Sequence, residues 1–122
     1  MQRHSGGWPV RFELVELGPT ANKVVLVGRL DSVTVGNVET PLTAAVAATG
    51  RNAVLDLTGL EFLSSLGIRL LLSAARVVTR RGGKVVLFGA QPMVREVLSA
   101  MALDEVLPLV DTEEQAVARL GA

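Results

Sequence analysis

The 122-residue chain has no cysteine, no tyrosine and a single histidine, His4, in a polar, glycine-containing leader. Without cysteine there are no disulfides and no thiolate metal sites, which fits a reducing interior. Without a second histidine or a tyrosine, the usual nucleophile–base pairs and His-based metal clusters cannot be assembled. His4 reads as an exposed side chain on a mobile terminus. An excess of charge is missing too: twelve Lys and Arg balance twelve Asp and Glu, so there is no broad positive field of the kind a general nucleic-acid binder carries. No apolar run approaches the roughly 18 residues that cross a bilayer. The opening MQRHSGGWPVRFELVEL has no long apolar stretch after its basic residues, so no secretory signal is expected. Gly83-Lys84 hints at a phosphate loop, but Val85 follows where Ser or Thr is needed and no spaced upstream glycine completes the motif. These exclusions leave a soluble cytoplasmic domain with no cofactor and nothing that points to an enzyme. Residues 1–10 read as a flexible leader and residues 11–122 as one domain.

What is present is ordered. RFELVEL (11–17) alternates apolar and polar residues as a half-buried strand does. GPTAN (18–22) is a turn, and KVVLVGRL (23–30) is a second strand, so close that the pair should form an antiparallel hairpin. Asp31 to Thr40 is polar and reads as a loop or a distorted helical start. Pro41 suits the first position of a helix capped by Thr40, with Leu42, Ala45 and Val46 as its apolar stripe and Gly50 as its stop. NAVLDL (52–57) is a short strand covered on both faces, with a loop expected from Thr58. From Gly67 the period becomes helical: Ile68, Leu71, Leu72, Ala75 and Val78 form one side, and Arg69, Arg76 and Arg80 lie on another.

Gly82-Gly83 ends that helix, and KVVLF (84–88) is another buried strand. Pro92 opens a third helix with Met93, Val94, Val97, Leu98 and Met101 as its stripe. VLPLV (106–110) fits an edge strand, because Pro108 cannot donate to a ladder. Asp111 with Glu114 looks like a capping box for a last helix whose apolar positions are Ala116, Val117 and Leu120. The order predicts an α/β domain with a mixed sheet of four to five strands and about four flanking helices.

Loops beyond the carboxyl ends of parallel strands commonly carry function, and here one of them holds two adjacent hydroxyls, Ser64 and Ser65. Either one caps the helix, worth about 1 kcal/mol, or the pair presents a regulated hydroxyl, where a phosphate would add nearly two negative charges at a helix N-terminus. Asp56, inside an apolar strand, reads as a buried carboxylate bonded to nearby backbone N–H groups. Arg69, Arg76 and Arg80, with Ser73 between the first two, form either a solvated face or a contact surface for an acidic partner.

GRLD (28–31), VLDLTGLEFLSSLGIRLLL (54–72), KVVLFG (84–89) and PMVREVLSAMALDEVLPLVDTEEQAV (92–117) together resemble a STAS domain, and more narrowly the bacterial anti-sigma factor antagonists. The resemblance covers residues 11 to 120. It implies a mixed sheet flanked by helices and a function in partner switching: the antagonist binds an anti-sigma factor, often a serine kinase of the histidine-kinase-like ATPase type, and frees a sigma factor. The family's phosphorylation segment commonly runs Asp-Ser-Ser/Thr-Gly, with the acceptor directly before glycine. Ser64, Ser65, Leu66 and Gly67 stand there, and Leu66 in the acceptor position cannot be phosphorylated. The control is therefore lost, or moved to Ser65 or Ser64, or the protein is an always-binding relative. The implied partner-binding residues are Asp31, Ser64, Ser65, Leu66, Gly67, Arg69, Ser73 and Arg76. Arg29 replaces a commoner Glu, and Ala102 stands where a glycine often ends the third helix. A STAS accessory subunit of a lipid or anion transport system is the alternative within the family, and a small hydrolase the alternative outside it.

Overall fold

The computed structural model describes residues 10–49, 52–103 and 106–121. Strand β1 (Val10–Glu16) and strand β2 (Ala21–Leu30) form the expected antiparallel hairpin, with Phe12 opposite Leu26 and Leu14 opposite Val24. β1 takes in Val10, one residue into the expected leader, whose residues 1–9 lie outside the described ones. The turn is shorter than GPTAN suggested, because Ala21 and Asn22 already belong to β2 and are buried.

Helix α1 (Val35–Thr49), β3 (Asn52–Leu63), helix α2 (Ser65–Arg80), β4 (Val85–Phe88), helix α3 (Pro92–Ala100), β5 (Leu109–Val110) and helix α4 (Glu113–Arg119) follow. The five strands form one sheet in the order β1-β2-β3-β4-β5, antiparallel at the hairpin and parallel from β2 onward. Because the parallel strands are laid down in sequence order, crossovers of one hand place α1, α2 and α3 on the same face. Val38, Leu42, Leu71, Ala75, Val94 and Leu98 from those helices pack on Leu55, Leu57 and Leu87. The opposite face carries a smaller core, in which Ala116 of α4 and Leu120, its C-cap, meet Val54, Val86 and Phe88. All four residues of β4 are buried, as the unbroken run KVVLF requires.

Several expectations are corrected. Pro41 is the seventh residue of α1 rather than the first, and Thr40 is not a cap. The helix starts at Val35 because the Asp31–Thr34 turn organises its first N–H groups, and Pro41 is tolerated on the exposed side of the helix. The expected stop at Gly50 lies outside the described residues. β3 does not end at Leu57: it runs on through Gly59 to Leu63, and β2 follows it with register shifts at Val25/Val27 and Gly28/Arg29. Gly59 permits this close pairing, since a Cβ there would sit 3.0 Å from Val27 Cγ2. In α3 only Val94 and Leu98 are buried, while Met93 and the C-cap residue Met101 face solvent. Leu72 of α2 is half-buried rather than core. The capping box of α4 is one residue later than expected: Thr112 Oγ1 accepts from Gln115 N–H at 3.1 Å, and Gln115 Oε1 accepts from Thr112 N–H at 3.2 Å. Asp111 instead pairs with Arg95, at 2.9 Å. The third helix ends with Ala102 at φ 57°, the only described residue other than glycine with a positive φ.

Candidate functional site

β2 and β3 run side by side and end together, with Leu30 in register with Leu63. Their continuations therefore emerge next to each other on one rim. The first is a turn closed by its own side chains. Asp31 Oδ1 accepts from Val33 N–H at 3.0 Å and from Thr34 N–H at 2.9 Å. Thr34, fully buried, returns the tie: its hydroxyl accepts from Asp31 N–H at 2.9 Å and donates to the Arg29 carbonyl at 2.6 Å. The Asp31 carboxyl is held below its ordinary value, chiefly by the Thr34 N–H, against a smaller opposing effect of burial, with help from Val33 N–H, the Thr34 hydroxyl and Arg29. Asp31 thus acts as the organiser of the turn that launches α1. Arg29 lies 3.8 Å from the Asp31 carboxylate and stacks over Phe62 with its guanidinium carbon 4.4 Å from the ring centre.

The second continuation is the start of α2. Ser64, in extended conformation, is its N-cap, and the Oγ accepts from Gly67 N–H at 3.2 Å. The capping role expected for one of the two serines thus falls on Ser64. Its own N–H donates to the Leu30 carbonyl at 2.9 Å, so the α2 start is tied directly to the end of β2, one residue from Asp31. Ser65, the first helical residue, is exposed, and so is Leu66, with 40% of its surface open. Gly67 is buried because the helix passes too close to β2 for a side chain: a Cβ there would lie 3.0 Å from both Leu30 O and Leu30 Cβ. One glycine thus holds Ser65 and Leu66 outward while the next turn, from Ile68, enters the core.

Of the other residues singled out by sequence, Arg69 and Arg76 are exposed and Ser73 half-buried, on one line of α2 that continues to exposed Arg80. None of the three arginines forms an ion pair with another described residue. The Asp31 turn, Ser64–Gly67 and the arginine row are therefore contiguous along one rim and one helix face. Asp56 stays apart from them; it is half-buried, and its Oδ1 accepts from Thr58 N–H at 2.9 Å and the Thr58 hydroxyl at 2.7 Å. The carboxylate is therefore bonded locally, but it is half-buried rather than buried and is served by one N–H and one hydroxyl instead of several N–H groups.

Sequence reasoning missed two residues on this rim. Val33, 76% exposed, stands on the Asp31 turn, and Met93, 57% exposed, stands in the first turn of α3, after β4. With Leu66 they give the first turns following β2, β3 and β4 an exposed apolar side chain each. The available signal for Met93 was Pro92, which marks a helix start on the strand-end rim, where a first-turn side chain need not point inward. Among the described residues no group of His, Cys, Asp or Glu is arranged to hold a metal ion, and no helix is long and apolar enough to cross a membrane.

The STAS domain family model matches residues 17–116 of the chain. A protein of Bordetella bronchiseptica, whose name gives it as an anti-sigma factor antagonist, BtrV, is 33% identical over 93 residues, covering 76% of this chain and 80% of that one. Among solved structures, an anti-sigma factor antagonist from Mycobacterium paratuberculosis superposes with a TM-score of 0.82 over 93% of this chain and 95% of that one, at 24% identity, a likeness of fold alone. The anti-sigma factor antagonist SpoIIAA in its unphosphorylated form gives a TM-score of 0.73 at 25% identity, over 88% of this chain and 94% of that one. With the sheet order and strand-end rim described above, these matches make the chain a STAS-domain protein of the anti-sigma factor antagonist family.

Proposed function

We propose that this chain captures an anti-sigma factor in the cytoplasm and so releases a sigma factor by partner switching, as a binding protein without catalysis or cofactor. The observation that carries this reading is the rim itself. The Asp31 turn and the α2 start are joined through the Ser64–Leu30 hydrogen bond, and Val33, Ser65, Leu66 and Arg69 all stand exposed there. Val33 and Leu66 supply apolar contact area at about 25 cal/mol for each Å² removed from water. Arg69, Ser73 and Arg76 extend the surface along α2 with unpaired positive charge, which tunes association rate and salt sensitivity. Any ATP belongs to the partner, an anti-sigma factor of the serine-kinase, histidine-kinase-like ATPase type.

Leu66 changes how such a contact is controlled. At the position where the family resemblance expects the phosphate acceptor, an apolar side chain contributes to docking and takes no phosphate. We therefore read the protein as a binder without the standard phospho-switch. If control has moved, Ser65 is the better acceptor: its residue is exposed at the first position of α2, whereas the Ser64 oxygen is engaged in the cap.

The test is incubation with a candidate kinase and ATP, read by intact mass and peptide mapping, beside a binding assay. Tight binding with no added phosphate is the expected result. A phosphate on Ser65 or Ser64 that weakens binding would replace the constitutive reading with a displaced switch. Unchanged capture by both Ser65→Glu and Arg69→Glu would remove this surface from the interaction. No binding to a kinase shown to be active on another substrate would turn the reading to a transport-system subunit.

A further inference from the structure

β5 closes one side of the sheet, and among the described residues no strand lies beyond it. The ladder shows where its backbone points. Leu87 N–H donates to the Pro108 carbonyl at 2.8 Å, and Gly89 N–H donates to the Val110 carbonyl at 3.1 Å. Backbone groups of alternate residues in a strand address alternate sides, so the Leu109 N–H and C=O point away from β4, toward the open edge. The next outward N–H, that of Asp111, is taken by Gln115 Oε1 at 2.9 Å. Those of Leu109 have no partner among the described residues. An edge of this kind is a template for another strand.

A groove of about 580 Å³ runs along the edge, lined by Leu109, Val110, Asp111, Arg95, Gln115 and Arg119. Its walls come from opposite layers. Arg95 belongs to α3, which packs on the larger core, and Arg119 belongs to α4, which packs on the smaller one. Arg95 is held by Asp111 at 2.9 Å, a solvent-exposed pair that exchanges readily. Arg119 has no ion pair with another described residue. Leu109 and Val110, between the two walls, are half-buried, the first packed against the larger core and the second against the smaller one.

Each feature selects one property of a ligand: the outward N–H and C=O an extended backbone, and the two guanidinium groups carboxylates. We propose that this edge binds an extended acidic peptide segment of a partner protein, which adds as a strand on Leu109 and sets carboxylates on Arg95 and Arg119. Successive side chains of a strand point to opposite faces. Adjacent acidic residues therefore reach both walls, whereas two acids separated by one residue reach only one wall. The groove lies two strands from β3, so its occupancy does not depend on the rim at α2.

The experiment is an amide NMR titration of the whole chain with two capped hexapeptides of one composition, in valine, serine and two glutamates. In one the glutamates are adjacent, and in the other they are separated by a single residue. The adjacent form shifts the Leu109 amide, slows its hydrogen exchange and binds about tenfold tighter than the separated form, the effect of one additional charge-assisted contact. Arg119→Gln and Arg119→Glu each abolish that preference while leaving amide shifts on the α2 rim unchanged. A Leu109 amide that does not move, equal binding of the two peptides, or equal binding of a lysine-for-glutamate peptide would each overturn the proposal.

Discussion

Gly36 and Gly67 both stand in the first turn of a helix, α1 and α2 respectively, and the same substitution should affect them with opposite sign. Around Gly36, which is exposed, a Cβ meets nothing within 4 Å and φ is ordinary, so Gly36→Ala gains helix propensity, about 0.5–1 kcal/mol. At Gly67 a Cβ would lie 2.7 Å from Leu63 Cδ1, 3.0 Å from Leu30 Cβ and 3.0 Å from Leu30 O. The Leu63 side chain can rotate, but the Leu30 carbonyl is the backbone that receives Ser64 N–H, so the helix start itself must move. Overpacking of this kind costs about 1–3 kcal/mol, against up to about 1 kcal/mol returned by propensity, for a net loss centred on about 1 kcal/mol. The same displacement opens the Ser64 Oγ–Gly67 N–H contact, already long at 3.2 Å. Gly67→Ala and Ser64→Ala should therefore be less than additive, because the first has already weakened what the second removes. Denaturant unfolding midpoints for wild type, Gly36→Ala, Gly67→Ala, Ser64→Ala and the Ser64→Ala/Gly67→Ala pair measure all of this. A Gly67→Ala protein as stable as wild type would show that α2 does not depend on the close approach to β2.

Other outcomes follow from single residues. Ala102→Gly relieves a left-handed conformation at φ 57° at the end of α3 and raises stability by about 0.5–1 kcal/mol after the added freedom of the unfolded chain is deducted, seen as a higher thermal midpoint. Ser64→Ala costs about 1 kcal/mol through loss of the cap, whereas Ser65→Ala, at an exposed first-turn position, changes unfolding by less than about 0.5 kcal/mol. The Asp31 carboxyl titrates below its ordinary value of 3.8 in the folded chain, so folding binds fewer protons there than unfolding does. Its contribution is present above pH about 4 and is lost as pH falls through the lowered folded value. Asp31→Asn should accordingly flatten the acid limb of stability against pH; an acid limb identical to that of wild type would show that the Thr34 and Val33 N–H contacts do not act on the carboxylate.

Much of the fold was legible because it rests on local periodicity. KVVLF read as a buried strand and its last four residues form one, with Lys84 exposed before it, and the apolar side of α2 stood out from its arginines. Pro92 marked the start of α3. Where reading failed, distant residues decided the outcome. β3 continues past Leu57 because β2 stays paired with it through two register shifts, and Gly59 lets the two strands approach where a Cβ would crowd Val27. Pro41 sits inside α1 because the Asp31–Thr34 turn starts the helix six residues earlier. Met93 and Met101 share the hydrophobicity of Val94 and Leu98 but face solvent, since α3 and its C-cap have only one side against the sheet.

The site divides in the same way. Residue chemistry was enough to place a helix start at SSLG, to offer one of its serines as a cap beside the alternative of a regulated hydroxyl, and to show that Leu66 cannot accept a phosphate. Which serine caps, and which stays open to solvent, depended on where α2 meets β2. Two first-turn glycines look alike in a string of letters, yet Gly36 borders open space and Gly67 lies against the Leu30 backbone. Likewise, nothing local distinguishes Arg95 and Arg119 from other surface arginines; they form two walls of one groove because α3 and α4 pack on opposite faces of the sheet beside β5. Propensity and capping act over a few neighbouring residues and can be read along the chain, whereas close approach, register and the facing of charges arise between segments far apart in sequence.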